Sequence, residues 1–190
     1  MNEPELIEGL KNGNEEAFKA LVHTYKDNIY NTSLGFIQNE HDAEEITQEV
    51  FVKVFENIQH FKKEAALSTW MYRIAVTESL EFIRKKKTKK RGGLLMSVFR
   101  REENIEDQPD FYHPGVVAEQ KENAAILFKA IRQLSEQQQS AFVLQKIEGL
   151  SQQQVAEILK TTVSAVESLL TRAKANLKKI LEKHYNKHYK

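Results

Sequence analysis

Between Ser151 and Ile180 the chain spells out two helices and the turn between them, and no other stretch limits the fold as much. "SQQQ" at Ser151–Gln154 is a capping box, in which the N-cap serine takes the N3 amide and the N3 glutamine reaches back to the N-cap amide. Val155, Ile158 and Leu159 give the short helix that follows a buried face. A break falls at Lys160–Thr161, and Thr162 stands where it can cap a second helix. On that helix Val163, Val166, Leu170, Ala173 and Leu177 recur at spacings of 3 and 4, a single apolar stripe. The opposite face carries Ser164, Ser168, Thr171, Arg172 and Ala175, flanked by Lys174 and Lys178. Two short helices joined this tightly, the second presenting small polar and basic groups, have the geometry that enters a major groove. Small residues let the helix approach, and hydroxyls and arginine reach phosphates and base edges. Lys160 occupies the turn position where glycine is common, so a left-handed residue there is expected to carry strain. Glu167 sets a carboxylate on the flank of the second helix.

The same helical grammar covers most of the chain. "SEQQ" at Ser135–Gln138 is a second capping box and Gly149 a helix stop, so helices are expected over 135–148 and 151–159. Ile126, Leu127, Ala130, Ile131 and Leu134 form a stripe before them. Nearer the start, Phe18, Leu21, Val22, Tyr25 and Ile29 share one helical face, with Asn14 placed to cap it. A further helix runs from about Asp42 through Ile46, Val50, Val54 and Ile58. Another starts near Ser68, with Ser68 or Thr69 as its cap, and continues into the cationic run. Between about Thr88 and Ala118 the periodicity fails in a stretch with a glycine pair, two prolines and several carboxylates. The expectation is an all-α protein: two small helical domains, residues 1–91 and 119–190, joined by a partly ordered linker over 92–118.

Net charge is +1, which conceals the layout. Residues 1–60 carry a net −8, residues 61–101 +9, residues 102–123 −6, and residues 124–190 +6. Alternating blocks imply partners of different sign at different places. There is no cysteine, which excludes disulfides, thiol catalysis and cysteine-held zinc and fits a cytoplasmic setting. No apolar run is long enough for a membrane span, and the first residues lack the pattern of a secretory signal. His41 and Glu45 stand at i, i+4, but no second metal-binding pair follows. Phosphate-loop, dinucleotide-binding and nucleophile-elbow motifs are absent, so no enzyme activity, cofactor, metal or small-molecule ligand is expected.

The basic block has a feature of its own. Arg84–Arg91 holds seven cations in eight positions, just after a helix with the only tryptophan. On a wheel of about 100° per residue, Trp70 falls within a polar stripe of Arg73, Thr77, Glu81 and Arg84. Its ring either stacks on an unpaired base, with the cations on phosphates of adjoining duplex, or packs under the preceding loop His60–Leu67. The helix from Asp42 asks for another partner: Asp42, Glu45, Gln48, Glu49 and Glu56 border an apolar seam and suit a basic protein surface.

"DAEEITQEVFVKVFENIQHFKKEAALSTWMYRIA" resembles region 2 of bacterial RNA polymerase sigma factors of the extracytoplasmic-function (ECF) subgroup. "LSEQQQSAFVLQKIEGLSQQQVAEILKTTVSAVESLLTRAKANL" resembles their region 4. The resemblance implies a subunit that binds core RNA polymerase and directs promoter-specific initiation at −10 and −35 elements. Asp42, Glu45, Gln48, Glu49 and Phe51 would dock on the clamp helices of the core enzyme. The loop His60–Leu67 with Trp70 and Arg73 would recognise and help open the −10 element, and Arg84, Lys85, Lys86 and Lys87 would grip adjoining phosphates. Ser164, Ser168, Thr171, Arg172 and Lys174 would read the −35 duplex. The acidic linker would thread toward the polymerase cleft, and an anti-sigma factor would hold the protein inactive. The chain departs from the family pattern at Val76 and Thr77, where Arg-Asn is frequent, and at Glu167 and Leu169, where Lys and Arg often stand. The competing expectation is an ordinary helix-turn-helix regulator with a helical N-terminal interaction domain.

Overall fold

The structure is a computed structural model that describes the backbone of residues 1–96 and 121–188 and the side chains of residues 1–88 and 123–186. Every regular element among them is helical. The first half contains α1 (Glu3–Lys11), α2 (Glu15–Ile37), α3 (Glu40–Asn57), a 3₁₀ turn (Ile58–His60) and α4 (Leu67–Met96). The second contains α5 (Lys121–Ile131), α6 (Glu136–Phe142), a π-helical segment (Val143–Ile147), α7 (Gln152–Ile158) and α8 (Val163–His188).

Most helix ends follow from local chemistry. Asn14 accepts from the Ala17 amide at 3.1 Å, Ser135 from Gln138 at 3.4 Å and Thr162 from Ala165 at 3.1 Å. Ser151 and Gln154 close the expected capping box, at 3.2 Å and 3.0 Å. Gly149 has φ 73° and Lys160 has φ 51°, so the lysine in the turn does adopt the left-handed conformation that glycine takes more easily.

Four features depart from the expectation. α1 lies outside the expected helices, although Asn2 and Glu5 form a capping box and Leu6, Ile7 and Leu10 are buried. α4 begins at Leu67 without a serine or threonine cap, because its first amide is taken by Glu3 Oε1 of α1 at 3.1 Å. It continues into the cationic run as expected, but goes on through the glycine pair to Met96, into the expected linker. Residues 97–118 of the expected linker lie outside the described residues. The helix expected over 135–148 widens after Phe142 into a π turn, closed by the Glu148 amide on the Val143 carbonyl at 3.1 Å.

Leu21, Ile29, Val50, Val54 and Met71 fill the core of the first half, all 1% exposed or less. Ile131, Leu144, Val155, Val166 and Ala173 do the same in the second. The two cores are continuous, because α2 packs on the π segment and α4 on α7. Gly35 makes the first contact possible: a Cβ there would stand 2.9 Å from Val143 Cγ1 and 3.4 Å from Ile147 Cδ1. Gln38, the left-handed C-cap of α2, donates its side-chain amide to the Phe128 carbonyl of α5 at 2.8 Å.

Candidate nucleic-acid interface

The outer face of α8 is open. Ser164, Ser168, Thr171, Arg172 and Lys174 are all exposed, while Val166, Leu170, Ala173 and Leu177 anchor the opposite face in the core. Arg172 donates Nε to the Ser168 carbonyl at 3.1 Å, which lays its side chain along the helix surface. α7 and α8 together form the helix-turn-helix, and the left-handed Lys160 sets the angle of the turn.

Trp70 is half-buried on α4, and its ring stacks on Phe61 with centroids 5.0 Å apart and planes 29° from parallel. Phe61 opens the loop that joins the 3₁₀ turn to α4, and α1 pins that loop: Lys11 Nζ donates to the Phe61 carbonyl at 3.3 Å. Gln59 in turn donates to the Lys11 carbonyl. The loop therefore gives Trp70 a rigid aromatic backing, with left-handed Lys63 at its outer bend. One face of the indole is occupied by protein, and the ring also borders a cleft of about 430 Å³ with Lys53, Arg73 and Lys160.

Arg73 does not point freely outward from that cleft. Its guanidinium crosses to the second half and donates Nη2 to the Glu157 carbonyl at 2.7 Å and Nε to the Ile158 carbonyl at 3.3 Å. These carbonyls end α7, where backbone acceptors lack helical partners and the helix dipole is negative. A cation expected to serve the −10 element thus meets a helix C-terminus. Farther along α4, Arg84 donates Nε to Glu136 Oε1 at 2.8 Å, with Nη2 on the second carboxylate oxygen. The guanidinium holds the Glu136 carboxyl below its ordinary range. Lys85 and Lys87 are exposed, and Lys86 reaches Asp42 Oδ2 at 3.3 Å. In this arrangement the α4 face is covered by α7 and the turn, while the α8 face stays accessible.

The outward residues of α3 include Glu45, Gln48, Glu49, Val52, Phe55 and Glu56. Asp42 is partly covered and engaged with Lys86. Phe51 is in the core at 6% exposure. Val52 and Phe55, 47% and 51% exposed, are the apolar residues at that surface; Phe18 supports Phe55 in an edge-on contact at 5.6 Å. The signal for them was present in the sequence: Val52 and Phe55 fall off the apolar face that Ile46, Val50, Val54 and Ile58 define.

The arrangement is that of two packed helical halves, the second a helix-turn-helix with an exposed polar and basic face, and a separate acidic face on α3. The sigma-70 region 2 family matches residues 21–89 and the sigma-70 region 4 family residues 124–177. The ECF RNA polymerase sigma factor SigW of Bacillus subtilis is 32% identical over 179 residues, spanning 92% of this chain and 94% of that protein. The ECF RNA polymerase sigma-E factor of Escherichia coli K12 is 26% identical over 172 residues, with 89% and 88% covered. Among solved structures, CnrH in complex with the cytosolic domain of CnrY aligns with a TM-score of 0.68 at 22% identity, covering 95% of this chain and 97% of that one. The chain belongs to the ECF RNA polymerase sigma factors. No described helix is long and apolar enough to cross a membrane.

Proposed function

We propose that this sigma factor divides promoter-directed initiation among three surfaces and that the seam between its halves must part before all three can be used. The observation that carries this reading is Arg73 on the α7 carbonyls. Elements named −35 and −10 are centred about 25 base pairs apart, roughly 85 Å of duplex at about 3.4 Å per pair. A chain in which the α4 face touches α7 cannot lie across both.

The α3 face docks on core RNA polymerase. Val52 and Phe55 form an apolar centre and Glu45, Gln48, Glu49 and Glu56 a polar rim, the usual anatomy of a protein interface. Trp70, held by Phe61, presents its free side to a base displaced from the −10 duplex. Arg73 and the Arg84–Lys87 cations hold the adjoining phosphates. Ser164, Ser168, Thr171, Arg172 and Lys174 read the −35 element as duplex. The protein contributes no catalytic group of its own and works in the cytoplasm with the polymerase. An anti-sigma factor restrains it, as the solved complex of RpoE from Bartonella quintana with the anti-sigma factor NepR illustrates for a protein of the same fold.

Reconstituted transcription tests this. Core polymerase with the purified chain should start transcripts at a promoter that core alone ignores. Trp70→Ala should cut the permanganate reactivity of −10 thymines severalfold while duplex binding through α8 persists. Unchanged melting in that variant would remove Trp70 from the mechanism.

A further inference from the structure

The seam holds one carboxyl group that promoter binding does not explain. Glu148 follows the π segment and is half-buried against the first half of the chain. Across the seam it faces Thr32 of α2 and Tyr72 of α4, neither of which carries a positive charge. Tyr25 of α2 interacts with Tyr72 in turn, and Lys146, on the π segment just before Glu148, is exposed. Thr32 is fully buried and gives its only hydroxyl proton to the Asn28 carbonyl at 2.8 Å. With that proton committed, Thr32 Oγ1 offers lone pairs to the seam. A protonated Glu148 can donate to them, and an ionised one cannot.

We propose that Glu148 makes the seam between the two halves a pH-sensitive latch, which tightens as the carboxyl gains a proton and loosens as it loses one. The π turn and Gly149 fix the side chain at this place: the Glu148 amide is bonded back to Val143, and the chain turns at left-handed Gly149 immediately afterwards. Leaving the first half would return the carboxyl to water. Closing buries it without a cation, which favours its neutral form.

The direction follows from titration in the two states. In the closed state burial pushes Glu148 up to about 7, and the lowering that a bond from the Thr32 hydroxyl would give is forgone while that proton lies on the Asn28 carbonyl. In the open state it returns toward its ordinary value of 4.5. The group's contribution to closure is therefore fully present below the open-state value and is lost as pH rises to about 7. Across that window the closed-to-open ratio falls by up to about tenfold per pH unit, then levels off. Tyr72, which burial and then Glu148 push up to about 12, stays neutral throughout.

The chain has no cysteine, so a pair introduced at exposed Glu44 and Lys179 can carry two dyes without competing sites. Energy transfer between them is read from pH 5.5 to 8 in a Glu136→Lys background, which populates both states. The expected result is a rising closed fraction as pH falls below 7, approaching a tenfold gain in the closed-to-open ratio per unit. Glu148→Gln should make the ratio independent of pH and leave the chain more closed at pH 8. Glu148→Ala, which adds no polar group to the seam, should be equally flat and covers a failure of the glutamine variant to fold, checked by circular dichroism. A flat profile in the parent chain, or a slope that survives both substitutions, overturns the proposal.

Discussion

Arg84 and Glu136 are 52 residues apart in sequence and joined by a two-pronged ion pair, Nε on Oε1 at 2.8 Å and Nη2 on Oε2. The pair ties the start of the cationic run on α4 to the first turn of α6, so this arginine is engaged within the protein while the halves are closed. Both side chains are about half exposed, so salt weakens the tie. Glu136→Lys replaces attraction with repulsion and should shift the chain toward the open state, read as a larger radius of gyration in small-angle scattering. The shift should shrink as ionic strength rises; no change at low salt would mean the pair does not hold the seam.

Gly35 tests the apolar part of the same contact. A leucine placed there would have its Cβ 2.9 Å from Val143 Cγ1, closer than carbon atoms tolerate. Gly35→Leu should separate the halves at a cost of about 1–3 kcal/mol, while far-UV circular dichroism remains that of a helical protein. Limited proteolysis should then cleave between two stable fragments. Global loss of helicity instead would show that the two cores cannot stand apart.

Val52 and Phe55 are exposed where a partner can reach them, and Phe51 is not. Phe55→Ser should weaken core polymerase binding by tenfold or more if it is an interface anchor, since truncating such anchors costs about 2 kcal/mol or more. Its effect on stability should be small. Phe51→Ser should do the reverse, lowering the thermal midpoint by opening a cavity. Equal losses of binding from both, at matched folded fractions, would contradict this division.

Arg172 lies on the open face of α8 and donates a hydrogen bond to the Ser168 carbonyl of its own helix. Arg172→Ala should leave the thermal midpoint nearly unchanged and weaken binding of holoenzyme to −35 duplex. If the arginine meets a phosphate, the salt slope falls by about 1; if it meets a base pair, the loss is confined to one promoter position. A variant with unaltered affinity and salt dependence would exclude contact.

Legibility followed distance along the chain. Asn14, Ser135, Ser151, Thr162 and Gly149 could be read in advance because each cap is made within a few residues. The α8 stripe could be read because helical period alone assigns its two faces. α4 was legible near its start and into its cations, but not its cap, which Glu3 supplies from 64 residues earlier, nor its extension past the glycine pair to Met96. Trp70 on a polar stripe left two options open, and the stacking on Phe61 fills one face of the ring while the cleft keeps the other side in play.

By itself, then, the sequence determined the helices, most of their ends, the two polar and basic stripes and the family. Only the tertiary structure decided which of those stripes is covered. Arg73 meets carbonyls 84 and 85 residues away, and Gln38 meets one 90 residues away. Such pairings depend on how two packed bodies meet, and neither local propensity nor helical period carries that information.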